Sequence, residues 1–382
     1  MSFYRWIYDI TRVGFFAVAI FAVVTFQNAI PDEMYVTAGE EVSYEFGVPV
    51  SVVLKDEGQE VFANFAGTSK GSGQTSYTVT CKLFGLIPVQ DVEVTLVDER
   101  TVYAGGQIIG IYLKTKGILV IDTATVTDDA GKQVSPTKYL VKSGDYIVSV
   151  NGEAVSEKEE LMEQIAALGE KKEVLGIYRN GEYIEVSVNP VKNETGDYLL
   201  GLWVRDDLAG IGTLTFYEEN NGFGALGHAV SDGDTGTLME LAEGWIYPAK
   251  IVGIKKGGSG TPGELSGVID YQGNSPLGII TANTSLGISG TLQETLEKSA
   301  TAECYEIGYK QSVHTGNAYI ISEVSGKRNY YEIEIENLDF GRYAGNKGIL
   351  FEVTDEELLA KTGGIVQGMF MSYNGYNTGK TQ

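Results

Sequence analysis

From Pro31 to about Tyr103 apolar and polar residues alternate in short runs: YVTAGEEVSYEF, VPVSVVL, TSYTVTCKLFG and VQDVEVTLV. A period of two broken by Gly, Asp and Lys turns predicts strands, so residues 31–103 read as a small β-domain. No catalytic constellation lies in it. Before it, Val13–Phe26 (VGFFAVAIFAVVTF) is apolar without interruption and follows Arg5 and Arg12. That run is short for a free membrane span and normal for a signal-peptide core. Phe3, Tyr4, Trp6 and Tyr8 can sit at an interface and lengthen it, and no small-x-small cleavage site follows Phe26. Residues 1–30 are therefore expected to be an uncleaved signal anchor, with the body of the chain outside the cytoplasm.

From Ala104 the pattern changes. Two strand-like runs, IIGIYL and GILVID, precede SPTKYLVKSGDYIVSVNGEAVS. Glu157–Leu168 then carries apolar residues at helical spacing, with Ser156 as the expected N-cap. EVLGIYR and YIEVSVN follow, turned by Asn180-Gly181, a strong hairpin signal. These elements predict one module over 104–192, leaving 193–382 for a further domain.

Composition narrows the function classes. The chain has 382 residues, 49 of them Gly and 23 Tyr against 8 Pro, which fits two to three mainly β domains. A net charge of −23 argues against a nucleic-acid partner, which would need clustered Lys and Arg. No CxxC or His/Cys ligand cluster exists, so no metal and no cofactor are expected. Cys81 and Cys304 read as two buried free thiols and leave the compartment open. Asp232 and Asp234, in SDGDTG, do not complete a calcium-loop pattern; they are expected to stabilise a turn or help position a neighbour.

That neighbour is His228, in GFGALGHAVSDGDTG (222–236), one of only two histidines. With His314 in a plain polar stretch, His228 is the first candidate for a general base. A histidine satisfied in a glycine-rich turn remains the alternative. Asp355, in VTDEELL, has a structural explanation of its own. Thr354 and Glu357 can form a capping box and Asp355 lies in the first turn, where the helix dipole favours it.

Two resemblances carry the reading further. SGDYIVSVNGEAV resembles the GD-x-I-x-x-x-NG core of PDZ domains, and the order of elements fits. Such a module adds an extended peptide to a sheet edge. The resemblance implies a peptide site at Gly105, Gly106, Ile108 and Ile109, where the double glycine would hold a carboxylate with backbone amides. The segments RDDLAGIGTLTFY, FGALGHAVSD and TGGIVQGM, in that order, resemble the stage IV sporulation protein B peptidases, membrane-anchored serine peptidases of endospore-forming bacteria. That resemblance implies an N-terminal anchor, a PDZ domain and a peptidase domain related to the chymotrypsin double β-barrel. It also implies signalling proteolysis outside the cytoplasm, in the forespore intermembrane space. The implied partners are peptide or protein substrates, the protein's own N-terminal region, and a membrane-bound regulator of sigma-factor processing.

By the same resemblance His228 is the general base, Asp355 the acid, and Gly368 an oxyanion donor. The nucleophilic serine should follow Met369, where this chain has Phe370 and then MSYNGYNTGKTQ. Ser372 and Ser259 are weak substitutes: the first is shifted by two residues, and the second lies in a Gly-Ser-Gly turn. The end after Met369 therefore reads as truncated or frameshifted, leaving the second barrel incomplete. The rival expectation is a catalytically inactive PDZ-type peptide-binding protein.

Overall fold

The computed structural model describes residues 12–14, 21, 23–27, 30–37, 41–42, 49–54, 60–61, 65–66, 76–258, 261, 263–271, 275–293, 303–309, 313–338, 348–366 and 370–372. The protein is mainly β. Among the described residues no helix is long and apolar enough to cross a membrane.

The first unit is a sheet of β1 (Glu33–Thr37), β2 (Val50–Leu54), β3 (Glu60–Val61), β4 (Ser76–Leu83) and β5 (Ile87–Val97). Its order is β1-β5-β4-β2-β3, with β1 parallel to β5 and the remaining pairs antiparallel. Alternation puts Val79, Cys81 and Leu83 on one face, packed with Val92, Val94, Met34 and Ile30.

The chain then runs through β6 (Thr101–Ala104), β7 (Ile108–Thr123), β8 (Tyr146–Val150), α1 (Lys158–Leu168), β9 (Glu173–Arg179) and β10 (Glu182–Val188). It continues with β11 (Leu202–Tyr217), β12 (Gly222–Ala225), β13 (Leu241–Lys255), β14 (Glu264–Ile269), β15 (Gly278–Thr284) and β16 (Gly287–Leu292). Strands β7-β13-β15-β16-β12-β11 pair antiparallel in turn, and β11 pairs back to β7. This closes a six-stranded barrel and removes its free edges. Ile109, Ile111 and Leu113, every second residue of β7, point into its core with Leu214, Phe223, Ile246, Ile280 and Ile288. Each such side chain contributes about 1.5–3 kcal/mol by leaving water.

The division into units differs from the expected boundaries. IIGIYL and GILVID, read as separate strands, form the single 16-residue strand β7. Its first half belongs to the barrel; at Ile118 it enters a second core with Val141, Ile147, Leu161, Leu175 and Ile177. Strand β11 returns beside it, from Leu202 opposite Thr123 to Thr213 opposite Ile108. The module built by β8, α1, β9 and β10 is thus inserted between barrel strands rather than preceding the barrel. The physical reason is that two long paired strands serve both cores.

The last part comprises β17 (Gly316–Ser322), β18 (Asn329–Leu338), β19 (Ile349–Val353), α2 (Glu356–Thr362) and β20 (Phe370–Ser372). It is a four-stranded antiparallel sheet ordered β19-β18-β17-β20, and its core takes in Ile251, Ile254 and Leu265 from the barrel side.

Candidate active site

His228 leaves β12 through a sharp corner. Leu226 (φ 76°) and Gly227 (φ 82°) are both left-handed. For a branched apolar residue that backbone is uncommon, and such outliers concentrate at functional sites. The corner opens a cavity of about 410 Å³ lined by Leu208 and residues 210–213 of β11, residues 226, 228–233, and Glu264–Leu265 of β14. His228 Nδ1 lies 2.9 Å from the Ala229 carbonyl oxygen. A carbonyl can only accept, so this contact favours the Nδ1–H tautomer and leaves Nε2 as the basic nitrogen.

The loop behind His228 is fastened from two sides. Asp232 is fully buried and pairs with Arg205 of β11, whose second nitrogen reaches Asp234 at 3.0 Å. Burial pushes the Asp232 carboxyl upward. The Thr235 amide and hydroxyl, the Arg205 charge and the Asp234 amide outweigh it, holding the carboxyl below the usual range. Asn283 of β15 forms the second clamp. Its Oδ1 accepts the Val230 amide at 2.9 Å, and its Nδ2 donates to the Val230 and Met239 carbonyls at 2.8 and 2.9 Å. Asp232 and Asp234, expected to stabilise the turn or help position His228, fasten the loop that follows it, whereas Arg205 and Asn283 are not among the residues the sequence singles out. Arg205 stood within the quoted R-D-x-x-A-G motif; Asn283 carried no signal.

The positions expected for the acid and the nucleophile lie in the C-terminal part. Asp355 is itself the N-cap of α2, accepting the Leu358 amide at 2.8 Å. This corrects the expected Thr354/Glu357 box; Glu357 instead accepts from Ser325 at 2.7 Å and pairs with Lys361 at 3.0 Å. The Asp355 carboxylate thus engages its own helix, while the Nδ1 side of His228 faces Ala229. After α2, the Thr362 carbonyl accepts the Gly257 amide (2.8 Å) and the Ile365 carbonyl accepts the Gly263 amide (3.2 Å). Val366 bridges to Gly263, next to the cavity-lining Glu264. Residues 362–366 are therefore held beside the strand that supplies Glu264 and Leu265 to the His228 cavity. Gly368 and Ser259 lie outside the described residues. Phe370 sits in β20 with its backbone opposite Ile321, and Ser372 opposite Tyr319.

The expected peptide site at Gly105, Gly106, Ile108 and Ile109 is not an open carboxylate nest. The Gly105 and Gly106 amides donate to the Thr215 and Leu214 carbonyls at 2.8 Å each, and the Ile108 amide donates to Glu323 at 3.0 Å. Ile109 points into the barrel core. Gly106 (φ 99°) is required by close packing, since a Cβ there would meet Ile321 at 2.5 Å. Helix α1 packs instead along Tyr198–Asp206. Lys158, at the helix start, holds Asp206 through its backbone amide (2.9 Å) and Nζ (3.0 Å), while Gly169 past its end lies against the Tyr198 ring. Helix and strand therefore run antiparallel along Tyr198–Asp206. The N-cap is Glu157 rather than Ser156, whose amide donates to Glu160 at 2.8 Å. Of the two thiols, Cys81 is buried and Cys304 is exposed, which corrects the expectation that both are buried.

Residues 196–373 match the family model described as SpoIVB peptidase S55. In structure the chain is similar to the PDZ domain of the SdrC-like protein from Listeria monocytogenes, at 17% identity, over 24% of this chain and 90% of that chain, with a TM-score of 0.20. No curated protein matches the chain. The match over residues 196–373 indicates a serine peptidase of the SpoIVB type for that part of the chain.

Proposed function

We propose that the chain is organised as a signalling serine endopeptidase of sporulation, with His228 as its general base. The observation that supports this reading is the His228 cavity, with residues 362–366 bonded to Gly257 and Gly263 beside the cavity-lining Glu264. In the proposed reaction Nε2 takes the proton of a serine hydroxyl as it attacks the scissile carbonyl, then returns it to the leaving amine. Asp355 has the acid's part by family resemblance, and the Ala229 carbonyl supports the same tautomer. Gly368 would give an oxyanion-hole amide. The chain would act outside the cytoplasm, anchored by residues 1–30, cleaving itself and then a membrane-bound regulator of sigma-factor processing.

Residues 117–206 would serve as a PDZ module. Its peptide slot would lie between α1 and Leu202–Arg205, where Trp203 and Met162 are exposed, rather than at the double glycine. The test is the Phe370→Ser chain, followed by mass spectrometry for self-processing. Cleavage that disappears on adding His228→Ala supports the reading; cleavage indifferent to His228 removes it.

Phe370 favours a second reading for the chain as written, because a phenyl ring has no oxygen to attack a carbonyl. On this reading the chain binds peptides without hydrolysing them. Peptide binding by the unaltered chain, with no new termini after long incubation, is its expected signature; hydrolysis by that chain sinks it.

A further inference from the structure

The hairpin joining β4 to β5 has an apolar tip. Phe84, Leu86 and Ile87 are 70%, 82% and 52% exposed, and no charged residue occurs between Lys82 and Asp91. Three large apolar side chains in one turn form a projecting patch rather than scattered surface residues.

The turn is also built against local preference. The Leu86 amide donates to the Leu83 carbonyl at 3.1 Å, with Phe84 (φ 50°) and Gly85 (φ 73°) both left-handed between them. Two-residue turns of this kind favour Asn-Gly. The protein uses that pair where β9 turns into β10, at Asn180 (φ 52°) and Gly181 (φ 81°). Phe84 accepts a backbone that a bulky residue enters only with strain, and its ring gains no burial in return.

The surroundings indicate what would cover it. Gln27 Nε2 donates to the Val89 carbonyl at 2.8 Å, and Phe26 packs on the core of this sheet. Val89 lies two residues from Ile87, so Phe26 and Gln27, at the end of the apolar run, meet the domain beside the tip. Within that run Val13, Phe21 and Val24 are exposed as well.

We propose that Phe84, Leu86 and Ile87 dip into a lipid bilayer as a second contact beside the N-terminal segment, fixing how the β-domain sits on the membrane. This rests on the reading that Val13–Phe26 enters a bilayer. The net charge of −23 makes an anionic surface a poor electrostatic partner, so the contact is apolar insertion.

The test uses the full chain in phosphatidylcholine vesicles, with Cys304→Ser and a nitrobenzoxadiazole probe on Leu86→Cys or, separately, on Val24→Cys. Burial pushes the Cys81 thiol up to about 12, so it stays unlabelled. The expected result is blue-shifted emission at both positions, quenched by lipids bearing doxyl groups on their acyl chains. Quenching at position 24 with water-like emission at 86 overturns the hairpin contact and leaves the anchor reading intact. Water-like emission at both positions overturns the two together. Adding Phe84→Asn to the Leu86→Cys chain should reduce the quenching while raising the thermal midpoint in solution, which separates lost membrane contact from misfolding. A lower midpoint with unchanged quenching counts against the proposal.

Discussion

Arg205 and Asp232, 27 residues apart in the chain, form an ion pair whose carboxylate is wholly enclosed. The next residue, Asp206, turns the other way and holds the start of α1. Two consecutive side chains of β11 thus fasten the His228 loop and the inserted module to one strand.

Arg205→Ala leaves the Asp232 carboxylate buried without its cation. Breaking an enclosed pair from one side costs about 3 kcal/mol. The expected outcome in denaturant titration is a loss of that order, with faster amide exchange across residues 230–239. An unchanged midpoint would show that the Thr235 and Asp234 amides alone secure the loop.

Asp206→Asn should loosen α1 by about 1 kcal/mol, because the Lys158 amide loses a charged acceptor while its ammonium is already partly in water. Burial pushes the Asp206 carboxyl up, but the Lys158 amide and ammonium prevail and hold it below the ordinary value. A depressed carboxyl contributes stability that is present above its unfolded pKa and is lost as pH falls through the folded one. The variant should therefore lose part of the acid-side decline in stability seen in the parent.

Glu173, at the start of β9, is 0% exposed, and neither carboxylate oxygen has a hydrogen-bond partner. Burial raises its carboxyl to about 7. The sign is opposite to that of Asp206. Stability is fully present below about 4.5, the unfolded value, and is lost as pH rises towards 7. Glu173→Gln should flatten this decline in thermal scans between pH 4.5 and 7. An equally steep slope in the variant would show that Glu173 does not cause it.

Local chemistry was legible in the sequence where it decides the structure. Asn180-Gly181 turns its hairpin and IIGIYL forms a strand, although Ile109 faces the barrel core and not a peptide. The glycine-rich His228 stretch does form the corner of a cavity. What escaped depends on tertiary packing. The polar stretch Lys114–Lys116 reads as a break between strands, yet Lys114 pairs with Asp207 and Glu243, Thr115 pairs with Leu241, and the Lys116 amide donates to the Glu240 carbonyl. Gly105-Gly106 has the composition of an anion nest. Its amides are consumed by β11, and Gly106 lies against Ile321, a contact that sequence spacing does not register. Asn283 clamps residues 53 and 44 positions away, which only the closed barrel brings near.

The most direct test of the central claim, that His228 sits as the base of a serine-peptidase site, is covalent labelling of the Phe370→Ser chain with a fluorophosphonate, read by intact mass and peptide mapping. One adduct at position 370 is expected, absent from the unaltered chain and lost when His228→Ala is added. An adduct that forms equally well without His228, or no adduct in the folded Phe370→Ser chain, would contradict it.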